Sequence, residues 1–173
     1  MSRCIAAMDY AFPWDHLLLG LKFGDRLDAA SLLALRLSRA LVAEGFMTGE
    51  PPDLILPVPL STERLRERGY NQAHEIARRL VLPPRSSATE RQSRLCARTL
   101  LRLRHTEQQA QLPLAARRRN LRGAFAVVKP VHGLRIALVD DVMTSGATLR
   151  EAALALRRAG AADVQAWVVA RTP

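Results

Sequence analysis

Ile136-Ala137-Leu138-Val139-Asp140-Asp141-Val142-Met143-Thr144-Ser145-Gly146-Ala147-Thr148 is the stretch that decides the fold. Four apolar residues of buried-strand type run into two adjacent carboxylates. A short hydroxyl-rich turn follows, and then Leu149, Ala152, Ala153 and Leu156 repeat at helical spacing up to Ala159. Gly160 ends that helix, and Val164 to Ala170 is a second continuous apolar run. Strand, helix and strand in this order predict a βαβ unit, because parallel neighbours need a crossover connection of about this length. Ligands bind at the carboxyl ends of parallel strands, which is where Asp140 and Asp141 fall. The turn Thr144, Ser145, Gly146, Ala147, Thr148 offers successive backbone N–H groups and three hydroxyls at a helix N-terminus, whose dipole favours an anion. That is the makeup of a monophosphate cradle. The Gly and Lys spacing of a nucleotide P-loop is absent, as is the G-x-G-x-x-G of a dinucleotide fold. Two adjacent acids can instead accept hydrogen bonds from neighbouring hydroxyls of a sugar whose phosphate lies in the cradle, which fits ribose 5-phosphate. The plainer reading makes the acids turn caps and Thr148-Leu149-Arg150-Glu151 a capping box.

Upstream, Leu32, Leu33, Leu35, Leu37, Ala40 and Leu41 predict a helix over 28–44 that stops at Gly45. Asp53-Leu54-Ile55-Leu56 reads as a strand entering the stiff loop Pro57-Val58-Pro59. Ala73, Ile76, Ala77 and Leu80 draw one apolar stripe on a helix that Pro83-Pro84 terminates. The polar segment 84–94 predicts a loop, Leu95 to Leu101 a second strand, and Ala124 to Val128 a further short one. The Arg- and Gln-rich segment 102–122 reads as a mobile excursion.

With 173 residues, 49% hydrophobic and 24% charged, the chain is sized for one domain. Its apolar runs are far shorter than the roughly 20 residues of a membrane span. No basic segment followed by a long apolar run opens the chain, so no secretory signal is expected. Cys4 and Cys96 can supply neither a disulfide framework nor a four-ligand zinc site, and the expectation is a reduced, cytoplasmic protein in which Cys4 is a buried small residue. The net charge of +10 is concentrated: residues 61–122 hold fifteen Arg and five acids, and the remainder is balanced at eleven each. A basic block of this kind points to an anionic partner, whether nucleic acid, membrane surface or polyphosphate. His16, His74, His105 and His132 have no metal or nucleophile spacing, and Trp14, Trp167, Phe12 and Phe23 are expected in the core or a subunit contact.

The run ending in Asp-Asp-x-x-Thr-Ser-Gly-x-Thr resembles the phosphoribosyl-pyrophosphate signature of type I phosphoribosyltransferases. Further blocks narrow the resemblance to the ComF competence-protein family. They are Leu21-Lys22-Phe23-Gly24-Asp25, Pro57-Val58-Pro59-Leu60, Arg66-Glu67-Arg68-Gly69-Tyr70-Asn71-Gln72, the Arg104-x-Thr106-x-x-Gln109 run, Arg119-Asn120-Leu121-Arg122-Gly123-Ala124-Phe125 and Ala170-Arg171. The match covers nearly the whole chain from Tyr10. Members of this family resemble a cysteine-rich zinc ribbon followed by a transferase domain, and no such ribbon lies within these 173 residues.

The resemblance implies an α/β fold of the type I phosphoribosyltransferase kind, with about five mostly parallel strands flanked by helices and a small hood. It implies a single domain over 1–173, with hood and flanking helices in 1–50 and the core in 51–173. Asp140 and Asp141 would be the catalytic pair on the ribose 2- and 3-hydroxyls, with a direct or indirect role in binding Mg²⁺. Thr144 to Thr148 would hold the 5-phosphate. Val58, Pro59 and Leu60 would offer backbone N–H groups to the pyrophosphate, with Arg64 and Arg68 beside them. Arg102, Arg104, Thr106, Gln109, Arg119 and Asn120 would belong to a flexible loop closing over the reacting centre. Displacement at the sugar C1 passes through an oxocarbenium-like state, so carboxylates near the ring and cations near the departing pyrophosphate both suit the chemistry.

The expected activity is that of an Mg²⁺-dependent phosphoribosyltransferase, a glycosyltransferase moving ribosyl 5-phosphate from phosphoribosyl pyrophosphate to an unidentified nitrogen nucleophile. Similar transferases for 6-oxopurines carry Asp where Thr144 stands, and a hydroxyl is a poor general base, so hypoxanthine and guanine are disfavoured acceptors. The alternative is a non-catalytic or weakly catalytic single-stranded-DNA-binding protein of competence and DNA uptake. Tyr70 is the only aromatic residue in 61–122, and tolerant single-strand binders stack bases on aromatics, so the linear sequence favours the polyphosphate. A homodimer is a further expected partnership.

Overall fold

Continuous apolar runs, unlike alternating ones, demand a sheet covered on both faces. The computed structural model, which describes residues 1–24, 26–45, 51–82, 93–103 and 123–172, has that arrangement. In chain order the described elements are β1 (Cys4–Asp9), α1 (Trp14–Phe23), α2 (Asp28–Ala43), β2 (Leu54–Pro57), α3 (Thr62–Arg68), α4 (Gln72–Ala77), β3 (Arg94–Leu95), β4 (Leu100–Arg102), β5 (Phe125–Val127), β6 (Arg135–Met143), α5 (Ala147–Arg158) and β7 (Asp163–Arg171). Five strands form one sheet in the order β1-β7-β6-β2-β3, with every neighbouring pair parallel. β4 and β5 make a separate antiparallel ribbon, Arg102 opposite Phe125.

Alternation along the central strands feeds two apolar layers. Ile136 and Leu138 of β6 with Val164, Ala166 and Val168 of β7 pack against Leu149, Ala152, Ala153 and Leu156 of α5, and Leu100 and Phe125 of the ribbon join this layer. Ala137, Val139 and Trp167 face the other way, against Leu18 and Leu21 of α1, Leu33, Leu37 and Leu41 of α2, and Ile76 of α4. Burying a Leu or Ile side chain contributes roughly 1.5–3 kcal/mol, so the helices stay docked through these stripes more than through helical propensity. β1 is an edge strand of this sheet and α2 covers its face, so α1 is the part of the N-terminal segment whose side chains reach the acid pair at the end of β6.

Several expectations need correction. Leu95 to Leu101 is two short strands in different sheets. Thr99 is buried and its carbonyl accepts the Val128 N–H at 2.9 Å, which turns the chain from the sheet into the ribbon. The helix expected to run to Pro83 ends at Ala77, because the chain crosses to α2, where Ser38 Oγ accepts the Val81 N–H at 3.0 Å. β6 continues past Val139 to Met143, since β7 pairs with it as far as Arg171 opposite Met143. Cys4, expected buried, is exposed on the edge strand. Trp167 is fully buried, as expected of a core aromatic. Among the described residues no helix is long and apolar enough to cross a membrane.

Candidate functional site

β2 ends with Pro57 opposite Val139, and the next residues of β6 are Asp140 and Asp141, so the loop after β2 and the acid pair share the carboxyl side of the sheet. Asp140 Oδ1 accepts the Asp141 N–H at 3.0 Å, and Asp141 Oδ1 accepts the Val142 N–H at 2.7 Å, so each carboxylate is oriented by the next peptide. The Lys22 ammonium, reaching from the last turn of α1, lies 3.1 Å from Asp141 Oδ2. Burial, and then the charge of Asp141, push the Asp140 pKa up to about 8, with the Asp141 N–H and Lys22 opposing. A positive charge developing beside Asp140 would favour its ionised form.

From Met143 the chain turns through Thr144 and Ser145 into Gly146, which caps α5 with φ 69°. A Cβ at Gly146 would meet the Met143 sulfur at 3.5 Å, an ordinary contact, so the left-handed backbone and not lack of space is what favours glycine. The capping box of the plainer reading does not form: α5 starts at Ala147, no side chain caps it, and its first turn contains no acid. Ala147 and Thr148 therefore lie in the first turn, where backbone N–H groups have no intrahelical acceptor and point at an incoming anion.

On the β2 side the loop is poorer in donors than the sequence suggests. The Val58 N–H is spent on the Val139 carbonyl at 2.8 Å and Pro59 has none, which leaves Leu60 as the one of the three able to offer an N–H. Side chains supply the charge instead. Arg102, expected in the mobile loop, sits in β4 with its guanidinium 5.7 Å from the Phe125 ring centroid. Burial and then the charge of Arg64 lower its pKa, and Asp140 opposes the shift. Arg64, half-buried in α3, is lowered by burial and by Arg68. Arg102 thus lies within electrostatic reach of both Arg64 and Asp140, each from a different element. Arginines crowded in this way are strained by repulsion that a bound polyanion relieves. The Arg68 guanidinium lies 5.1 Å from the Phe23 ring centroid and donates to Gln72 Oε1 at 3.0 Å. Arg104, Thr106, Gln109, Arg119 and Asn120 lie outside the described residues. The ends of their segment meet beside Arg102, where the Leu103 N–H donates to the Ala124 carbonyl at 2.8 Å.

Reading for chemistry alone passes over Lys22. Its signal is composition, since it is one of only two lysines in the chain and stands in the Leu21-Lys22-Phe23 block. The Arg66 to Gln72 block proves to be a clasp. Gly69 ends α3 with φ 73°, the Tyr70 hydroxyl donates to the Leu21 carbonyl at 2.6 Å, and Asn71 Nδ2 donates to the Val58 carbonyl at 3.0 Å. The turn after α3 thereby fixes both α1 and the end of β2.

No family model matches the chain. It is 38% identical over 172 residues to the DNA utilization protein YhgH of Salmonella typhi, covering 99% of this chain and 73% of that protein. The chain belongs to the ComF competence-protein family. Other ComF relatives include competence protein F of Haemophilus influenzae, 36% identical over 127 residues (69% of this chain, 51% of that one), and competence protein ComFC of Bacillus subtilis, 34% identical over 122 residues (69% and 45%). Among solved structures, one described as the allosteric regulatory enzyme of purine biosynthesis aligns with this ComF chain at TM-score 0.47 and 22% identity. It covers 87% of this chain and 30% of that one. A glutamine phosphoribosylpyrophosphate amidotransferase from B. subtilis gives TM-score 0.46 and 21% identity over the same shares.

Proposed function

We propose that this protein binds phosphoribosyl pyrophosphate and transfers its ribosyl 5-phosphate to a nitrogen nucleophile. The observation that carries this reading is the order of groups at the strand ends: an uncapped helix N-terminus, then Asp140 and Asp141, then Arg102 and Arg64. A ligand with a phosphate at one end, a vicinal diol in the middle and a diphosphate at the other end matches that order. The backbone N–H groups of the 144–148 turn hold the 5-phosphate, and Asp140 and Asp141 accept from the ribose hydroxyls. Arg64, Arg102 and the Leu60 N–H take the diphosphate.

In the transfer, the bond between C1 and the diphosphate oxygen breaks, a bond from the nucleophile's nitrogen to C1 forms, and that nitrogen gives up its proton to the departing diphosphate. Positive charge growing on the ring is stabilised by the carboxylates, and the arginines stabilise the departing diphosphate.

The donor set fits magnesium of one kind. Among the described residues no three acidic, His or Cys side chains cluster as a protein cage, and Asp141 already holds Lys22. Magnesium keeps few protein ligands and is commonly bound by one or two carboxylates together with substrate phosphates, so Asp140 and Asp141 would meet an ion that arrives on the diphosphate. Its chemistry there is to neutralise the leaving group.

One observation favours a second reading, single-stranded DNA binding. The fold brings an aromatic to the basic block that the linear sequence lacks: Phe23 is highly exposed with Arg68 across its ring. The names of the relatives, with DNA utilization and competence, support the same role. A screen for pyrophosphate release from phosphoribosyl pyrophosphate with Mg²⁺ across nucleobases and amines tests the transferase reading, with turnover expected for one acceptor class and abolished in Asp140→Asn/Asp141→Asn. No release with any acceptor, from a chain that binds single-stranded DNA through Phe23, would replace it with the second.

A further inference from the structure

Three consecutive residues in the last turn of α1 each hold a different part of the site. The Leu21 carbonyl accepts the Tyr70 hydroxyl, Lys22 pairs with Asp141, and the Phe23 ring lies under the Arg68 guanidinium. Tyr70 leads into Asn71, which fixes the end of β2, and Arg68 belongs to α3, which also carries Arg64. The one contact from this turn to a group that would touch the sugar is Lys22 to Asp141. The Lys22 and Asp141 side chains are only 19% and 13% exposed, so neither charge is free to satisfy itself in bulk water.

We propose that Lys22 is a positioning residue for sugar recognition. It holds the Asp141 carboxylate in the orientation in which its remaining lone pairs accept from a ribose hydroxyl. A carboxylate has about four acceptor sites on its two oxygens. The Val142 N–H takes one on Oδ1 and the Lys22 ammonium takes one on Oδ2, so the group is gripped at both ends with acceptor capacity left on each. Remove the ammonium and the cationic grip on Oδ2 is lost, leaving the Val142 N–H and the neighbouring Asp140 carboxyl. The carboxylate is then held less firmly about its last bond, and the hydroxyl acceptor is less preorganised. Leu21 and Phe23, anchored on Tyr70 and Arg68, keep α1 from drifting and so set the position of the lysine. The assignment rests on the sugar-phosphate reading above and adds to it a residue of the N-terminal flank that acts through Asp141.

Positioning has a signature that simple charge or structural support lacks, which is discrimination between sugars. The probes are ribose 5-phosphate and its 2-deoxy and 3-deoxy counterparts, with affinities measured by calorimetry on the folded chain. Wild type should prefer ribose 5-phosphate over the poorer deoxy sugar by about tenfold, the loss of one hydrogen bond to a charged acceptor. In Lys22→Met that ratio should fall to within about twofold, and Lys22→Arg should restore it. If Lys22→Met proves too unstable, Lys22→Gln, a neutral donor one bond shorter, should give a smaller fall in the same direction. A Lys22 variant that weakens all three sugars by one common factor, or leaves all three unchanged, overturns the inference while leaving the site itself intact. Wild type that binds none of the three refutes the sugar-phosphate reading, and the inference with it.

Discussion

Replacing Asp140 by Asn should make the ligand-free chain more stable, by a margin that grows from about pH 5 to about pH 7. Asn is nearly isosteric and its Oδ1 can still accept the Asp141 N–H, so the packing and the local hydrogen bond survive. What changes is the proton balance. The Asp140 carboxyl is raised from 3.8 to about 8 in the folded chain, first by burial and then by the neighbouring Asp141. Between those values the folded state retains a proton that the unfolded state has released. Stability is therefore fully present below about pH 4 and drains away as pH rises toward 8. One such group sets a ceiling of about 1.4 kcal/mol per pH unit, or roughly 2.7 kcal/mol over two units. The side chain keeps partial access to solvent, so the observed figure falls below that ceiling. For a domain of this size each kcal/mol moves the melting temperature by about 2–4 °C, so the Asn variant's advantage should widen by up to about 5–11 °C across the interval. Thermal melts of both proteins in matched ionic strength at half-unit pH steps provide the assay. A constant difference between the curves, or an advantage that shrinks as pH rises, would refute the claim that burial and repulsion are concentrated on this carboxyl.

Arg102→Met should lower affinity for inorganic pyrophosphate at least about tenfold without destabilising the empty chain, because Arg102 is crowded by Arg64 as well as balanced by Asp140; a calorimetric titration and a melt together check it. Gly146→Ala should cost about 1–2 kcal/mol from the left-handed backbone alone and weaken inorganic phosphate binding, and a melting temperature equal to wild type would mean that the turn relaxes. Tyr70→Phe removes the 2.6 Å bond to the Leu21 carbonyl and should cost about 1 kcal/mol by denaturant titration, with a fall in sugar affinity if the clasp sets α1.

The sheet was readable because its strands are continuous apolar blocks separated by helical periodicity: β6, α5 and β7 follow one another in the order that Ile136 to Ala170 predicts, although β6 runs on to Met143. The placing of the acid pair beside the hydroxyl-rich turn into α5 was readable for the same reason, since a strand running almost directly into a helix is local in sequence. Elements decided by distant partners were not. Nothing near Leu80 announces that α4 stops at Ala77, because the cause is Ser38 on another helix. Leu95 to Leu101 has the composition of one strand, and only the burial of Thr99 and its bond to Val128 divide it. Arg102 looks like part of an arginine-rich excursion until β5 pairs with it. Lys22 is 119 positions from Asp141, a separation across which no periodicity carries information.

Calorimetric titration of phosphoribosyl pyrophosphate with Mg²⁺ into wild type and into Asp140→Asn/Asp141→Asn decides whether the acid pair and the cationic groups facing it form a site for that ligand. Saturable binding at one site per chain in wild type, with none in the folded double variant, is the predicted result. A folded wild type that gives no binding, or a double variant that binds equally well, would contradict it.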